Sequence, residues 1–299
     1  MARNTVSARL EEVVGAAVEA ALAELEAARA EPYYDEAADE NARERYYEGL
    51  EAADGEPLRA ALAERLERTH DPRPAYRPMQ WVYPRVDTHP DGLLRSIYSG
   101  KAFSPEELIE ADAAIERART ERMVEFSLRE TALGPSELRA EAAAIEAALP
   151  YNCEHVVCQS WFSEDEPMRG DLHHLFACES GCNSFRGNFP YLDFPDAQEI
   201  AREACGRREE DGFEPGGGKG PVARATLYFL LRYPGLVGDG EHELKPDRLA
   251  MLLAWHEGDP VSDYERHRNS VIAELQGNRN PMIDHPDWAR KVDFSAAWA

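Results

Sequence analysis

Residues 152 to 191 read NCEHVVCQSWFSEDEPMRGDLHHLFACESGCNSFRGNFPY, concentrating oxygen donors for hard metal ions and groups that move protons. Glu154 and His155 are adjacent, Asp171, His173 and His174 follow, and Asn183, Arg186 and Asn188 close the stretch. Phosphodiester hydrolysis needs a deprotonated water, neutralisation of the charge that builds on phosphorus, and a stabilised leaving oxygen. One imidazole and one hard divalent ion meet all three needs. Magnesium favours oxygen ligands and takes few from the protein. Glu154 and Asn183 offer such oxygens, and the His155 imidazole is adjacent to Glu154. Of His173 and His174, one is expected to support the site by hydrogen bonding and the other to pack; Asp171 and Arg186 are further supporting candidates. Asn188, after Gly187, suits a turn as well as a function. One geometric objection stands: neighbours on a strand, as Glu154 and His155 should be, face opposite sides.

Four of the five cysteines, Cys153, Cys158, Cys178 and Cys182, lie in the same stretch. Three readings stay open: a structural zinc site of Cys158, Cys178 and Cys182, a disulfide, or buried thiols. Cys178 and Cys182 share a face if a helix starts there. Cys205 stands apart and is expected to pack alone.

The elements that must position these groups are mainly helical. Apolar residues recur at helical spacing from 5 to 30, with a Glu-rich polar face suited to solvent or a coiled coil. Two helical segments follow in 35 to 68, split near Gly55–Pro57, and 71 to 92 read as a loop or extended strand. LLRSIYS is strand-like, and Ser104 with Glu107 forms a capping box for a helix running to about Leu133. Helical periodicity breaks at Gly134–Pro135 and resumes from Ser136 to Leu149. FPDAQEIAREACGRRE reads as helical, PGGGKG as a flexible connector lacking the spacing of a phosphate loop, and ARATLYFLLRYP as a buried helix or strand. Two more helices close the chain, the last capped by Gly277.

The composition, 43% apolar and 30% charged over 299 residues, suits a globular protein of one large or two ordinary domains. No apolar run approaches the roughly 20 residues that span a bilayer, and no signal-peptide core is visible, so a cytoplasmic protein without membrane association is expected. The net charge of −24 argues against a general nucleic-acid-binding surface. Residues 1 to 71 carry 18 acidic against 8 basic side chains, a net of −10, whereas 72 to 86 and 215 to 238 carry no acid at all.

EHVVCQSWF, MRGDLHHLF and NSFRGN, in that order, resemble the endonuclease I family of bacterial nucleases. QGNRNPMID resembles its C-terminal segment, and ARATLYFLLRYP and LLAWHEGDPVSDYERHRN its intervening helices; the likeness extends more weakly to RSIYSG. The resemblance implies a ββα-metal (His-Me) finger at about 151–191, with His155 as general base and Glu154 and Asn183 holding the metal. It also implies cleavage leaving 5′-phosphates, and it places Arg224 as a phosphate contact. Cys158 and Ala177 stand where family members often have proline, and many members are exported.

Together these readings give an α+β, predominantly helical nuclease domain over 45–299 behind an acidic helical extension over 1–44. The expected activity is weakly sequence-selective endonucleolytic cleavage of DNA, with RNA as a second candidate, dependent on Mg²⁺, Mn²⁺ or Ca²⁺. Structural Zn²⁺ and a protein partner on the N-terminal helix are further candidates. The alternative is a silent nucleic-acid-binding or assembly protein on the same fold; a third reading has the acidic N-terminal region mimicking DNA and restraining the site.

Overall fold

The computed structural model describes residues 2–50, 53–127, 144–145, 148–149, 151–194, 200–202, 204–209, 212–240 and 243–298. Helices dominate: α1 (Ala2–Ala30), α2 (Glu36–Tyr47), α3 (Gly55–Thr69), α4 (Pro78–Trp81), α5 (Pro105–Ser127) and α6 (Ser180–Arg186) precede α7 (Lys219–Arg232), α8 (Leu249–Gly258), α9 (Asp263–Gln276) and α10 (Pro281–Asp284). The strands form three small antiparallel sheets. β1 (Leu94–Arg95) pairs with β2 (Ala102–Phe103), β3 (Cys153–His155) with β4 (Leu175–Ala177), and β5 (Ile200–Arg202), β6 (Gly206–Glu209) and β7 (Gly212–Pro215) form the third. The α+β, mainly helical class read from the sequence is observed.

The core is organised by α7. From Val222 to Arg232 every residue is buried, as expected of a helix apolar on nearly all sides. α3 contributes Leu58, Leu62 and Leu66, all at 0% exposure, one turn apart on the face that meets α7. Two local signals behave as read: Ser104 and Glu107 exchange both capping-box hydrogen bonds (2.9 and 3.2 Å), and Gly277 ends α9 at φ 84°.

Other segments differ from the sequence reading. Residues 78 to 86, expected to be part of a loop or extended strand, form α4 and a wide helical turn at Val82–Val86. Residues 200–202 and 206–209, expected to be helical, form β5 and β6; residues 195–199 and 203 of that expected helix lie outside the described residues, as do 128–133 of the one expected to run to about Leu133 and nearly all of the one from Ser136 to Leu149. Strand geometry prevails because Gly206 takes φ +130° and a Cβ there would meet the Glu214 carbonyl at 2.2 Å. PGGGKG is a packed turn: Gly218 caps α7 in the left-handed region, and a Cβ on it would sit 2.4 Å from the Ile97 carbonyl.

The N-terminal helices are built into the body. Val14, Ala21 and Leu25 of α1 are buried, and the helix packs along α5 and the Val82–Val86 turn. The expected boundary between residues 44 and 45 falls inside α2, whose Asp39 accepts a hydrogen bond from Arg279 at 2.8 Å.

Asp112 of α5 joins three of these elements. Its carboxylate accepts from Tyr83 (2.7 Å) and from the backbone and side-chain nitrogens of Asn152 (3.0 and 3.1 Å), immediately before β3. Burial pushes its pKa up to about 6, with the Tyr83 and Asn152 hydrogen bonds pulling the other way. The folded protein therefore holds this proton more tightly than the unfolded chain does. The group's contribution is fully favourable below about pH 4 and is lost as pH rises through about 6. Asp112→Asn removes this loss: its stability relative to wild type should grow by up to about 3 kcal/mol between pH 4 and 7. Urea unfolding across that range measures it, and parallel profiles would refute the assignment.

Candidate active site

β3, β4 and α6 hold the sequence-predicted residues together. Cys153, Glu154 and His155 pair with Ala177, Phe176 and Leu175, and α6 follows β4 after two residues. Two side chains of α6 reach back and pin it to β3. Asn183 donates its amide to the Cys153 carbonyl at 2.9 Å, and Arg186, one turn on, donates to the carbonyls of His155 (3.2 Å) and Val156 (2.9 Å). With its NH₂ committed to the backbone, Asn183 keeps Oδ1 without a protein partner among the described residues.

Glu154 is 1% exposed. Its Oε1 receives Tyr98 OH at 2.8 Å and lies 3.0 Å from Arg186 Nη1, while Oε2 has no hydrogen-bond partner among the described residues. Burial raises the Glu154 pKa, and the Arg186 charge and the Tyr98 hydroxyl oppose that rise. His155 donates Nε2–H to the Arg169 carbonyl at 3.0 Å, which places the ring's lone pair on Nδ1. Burial first, and then the neighbouring His174, hold His155 well below the ordinary imidazole range, so the ring is neutral near pH 7. Both side chains line one cleft of about 380 Å³ together with Asn183. The expected separation to opposite faces does not arise, because β3 is three residues long and ends at His155.

Asp171, His173 and His174 lie behind this cleft, not in it. Asp171 caps the turn Leu172–His174 and accepts from Tyr228 (2.8 Å), Tyr233 (2.9 Å) and Gln276 (2.8 Å). Burial opposes its charge, but the neighbouring imidazoles of His70, His173 and His174 and the Gln276 amide hold its pKa below the usual carboxylate range. His174 bonds the Met168 carbonyl at 2.7 Å and packs edge-on against His155 at 5.4 Å; His173 bonds the Asn278 carbonyl at 3.2 Å.

Two expectations are corrected. Arg224 does not reach the cleft: it is 1% exposed, paired with Glu265 at 2.6 and 2.8 Å, and its Nη1 donates to the His256 and Asp259 carbonyls. The zinc set fails too. α6 begins at Ser180, so Cys178 is outside it, and Cys182 forms a disulfide with Cys205, the cysteine expected to be alone. Cys153, Cys158 and Cys178 are free and buried. Among the described residues the one group of three His, Cys, Asp or Glu side chains close enough to share a metal ion is Glu179, Cys182 and Cys205, and its two sulfurs are bonded to each other.

The cleft also contains residues that sequence reading passed over. Tyr76 lies against His155 with ring centroids 4.6 Å apart, and Tyr151 meets Tyr76 edge-on. Arg119 of α5 sits 4.1 Å over the Tyr151 ring and lines the same end of the cleft. Tyr76 lies in the acid-free stretch from 72 to 86, whose aromatic content was the available signal. Arg119 gave none, because it is one arginine in a charged helix.

A family model described as Endonuclease I matches residues 90–287. The chain is similar to an extracellular ribonuclease of Bacillus subtilis (strain 168), 37% identical over 157 residues, which cover 48% of this chain and 54% of the relative. It is also similar to an extracellular deoxyribonuclease of Aeromonas hydrophila (32% over 121 residues, 39% and 50% covered). A periplasmic deoxyribonuclease of the same organism is 31% identical over 126 residues, 41% and 50% covered. The chain thus spans about half the length of these relatives. The cytoplasmic expectation is overturned by these names, all extracellular or periplasmic, and the Cys182–Cys205 bond suits an oxidising compartment. No helix among the described residues is long and apolar enough to cross a membrane.

The disulfide ties α6, which carries Asn183, to the turn before β6 across a separation of 23 residues. Closing a loop of that size in the unfolded chain is worth about 3 kcal/mol. The double substitution Cys182→Ser/Cys205→Ser should lower the unfolding free energy by about that amount. Urea denaturation checks it, and an unchanged midpoint would show that the bond does not stabilise the fold.

Proposed function

The chain belongs to the endonuclease I family, and from that premise we propose that it is a metal-dependent endonuclease cleaving DNA and RNA through Glu154, His155 and Asn183. One observation carries the reading: all three residues line one cleft, and each has an acceptor atom (Glu154 Oε2, His155 Nδ1, Asn183 Oδ1) that no described protein group occupies. β3, β4 and α6 would then form a ββα-metal finger. The ribonuclease and deoxyribonuclease names of the relatives support a nucleic acid of either sugar as substrate.

The donor set fits a hard divalent ion such as Mg²⁺ or Mn²⁺, because two oxygen ligands on short side chains leave most of a coordination sphere to water and phosphate. Glu154 Oε2 and Asn183 Oδ1 would hold it. When bound, such an ion supplies Lewis-acid stabilisation of the phosphate and of the departing oxygen. His155 does the proton work. Its neutral ring offers the Nδ1 lone pair to a water, and the Arg169 carbonyl stabilises the imidazolium that results by accepting the Nε2–H. An in-line attack of that water, with the 3′ oxygen leaving, gives 5′-phosphate ends. Arg119 replaces Arg224 as the proposed phosphate contact, since it supplies positive charge at the Tyr76–Tyr151 end of the cleft.

Supercoiled plasmid and a single-stranded RNA, each with Mg²⁺, Mn²⁺ or EDTA, test the reading. His155→Ala should slow cleavage by about 10²–10⁴-fold, the usual contribution of a positioned base. Arg224→Lys should act mainly on stability by breaking the bidentate pair with Glu265. Cleavage by His155→Ala at the wild-type rate would remove the assignment of the base. Nucleic-acid binding by the wild type without any cleavage would favour a silent binding protein on this fold.

A further inference from the structure

Buried polar groups behind the cleft converge on Glu154, and their arrangement is directional. Tyr98 OH donates to Glu154 Oε1 at 2.8 Å, so its single proton is spent there. Tyr191 OH lies 2.8 Å from Tyr98 OH and must be the donor in that contact. The two phenols form a relay, Tyr191 to Tyr98 to Glu154, in which each bond polarises the next. Both tyrosines are 1% exposed, and burial keeps both phenols protonated.

Neither ring can easily turn away. Tyr98 meets Phe213 of β7 edge-on at 5.0 Å, and Tyr191 meets Trp255 of α8 edge-on at 6.0 Å. The Arg186 guanidinium lies 5.0 Å over the Tyr191 ring and 3.0 Å from Glu154 Oε1. The backbone beside Tyr98 is fixed as well, since Ile97 N–H bonds the Ala177 carbonyl of β4 at 3.0 Å. Oε1 is therefore fully engaged from behind by Tyr98 and Arg186, while Oε2 is left to the cleft.

We propose that Tyr98 and Tyr191 are positioning residues that lock the Glu154 carboxylate so that only Oε2 is presented to a divalent metal ion. The inference rests on the reading of Glu154 as a metal ligand. Without the relay the carboxylate can rotate about its terminal torsion, which has no strong staggered preference, and turn both oxygens between Arg186 and the metal. Removing a hydrogen bond that orients a ligand usually costs about 10–100-fold in metal affinity.

Mn²⁺ binding by the full chain, followed by the electron paramagnetic resonance of free Mn²⁺, separates the possibilities. Tyr98→Phe should raise the Mn²⁺ Kd by about tenfold or more; Tyr191→Phe, one bond further out, should raise it by less, and Glu154→Gln should lose the site. For Tyr98→Phe the KM for an oligonucleotide substrate at saturating Mn²⁺ should stay near the wild-type value, a split that general loosening of the fold would not give. If both tyrosine variants bind Mn²⁺ as the wild type does while Glu154→Gln does not, the relay has no role and the metal site stands. If Glu154→Gln also binds as wild type, the metal site itself falls and the inference with it. Should Tyr98→Phe fail to fold, Tyr191→Phe decides, since it removes only the hydroxyl that bonds Tyr98 and keeps the ring under Arg186.

Discussion

Keeping a carboxylate charged while it is almost wholly out of water is the constraint around which the cleft is built. Glu154 meets it by drawing on three separate parts of the chain. Arg186 comes from the last turn of α6, Tyr98 from the turn between β1 and β2, and Tyr191 from the segment after α6. Arg186 would itself be costly to bury unpaired, and it is balanced by Glu154 together with the carbonyls of His155 and Val156. Charge compensation and the docking of α6 on β3 are therefore one interaction. Removing Arg186 would both uncover the charge and release the helix that carries Asn183.

A second polar knot lies behind the first and connects the cleft to the helical core. Asp171 accepts hydrogen bonds from the hydroxyls of Tyr228 and Tyr233, on and just beyond α7, and from the amide of Gln276 of α9. The turn Leu172–His174, and with it the His174 ring against His155, is thus referenced to α7, which organises the core, and to α9. A small β-sheet of three-residue strands could not hold such geometry unaided. The helices supply the rigidity, and the strands supply the place.

How far the sequence disclosed this depends on the range of each interaction. The grouping of Glu154, His155 and Asn183 in one cleft was legible because strand, turn and short helix follow one another within a few dozen residues. Arg224, placed as a phosphate contact by the family resemblance, was misread because the resemblance marks the helix and not the partner of the side chain. That partner, Glu265, lies 41 residues away on another helix. Cys205 was misread for a related reason: a helix was expected where a Gly206-centred strand turn brings it beside Cys182, whereas Cys153, Cys158 and Cys178 are buried thiols, one of the readings left open. Tyr98 and Tyr191 lay in segments already read for strand or turn propensity, and nothing in their spacing, 93 residues, marks them as partners. The apolar stripe of α1 with Val14, Ala21 and Leu25 was legible from its spacing, but not that it packs within the same chain, because α5 and the Val82–Val86 turn that receive it lie far along the sequence.

Anomalous diffraction from Mn²⁺-soaked crystals tests the central claim most directly, because it locates the ion without reference to activity. The account predicts one strong peak in the cleft bounded by Glu154, His155 and Asn183, within bonding distance of Glu154 Oε2 and Asn183 Oδ1. A peak elsewhere with none in this cleft, or the same peak retained in crystals of a Glu154→Gln/Asn183→Ala variant, would contradict it.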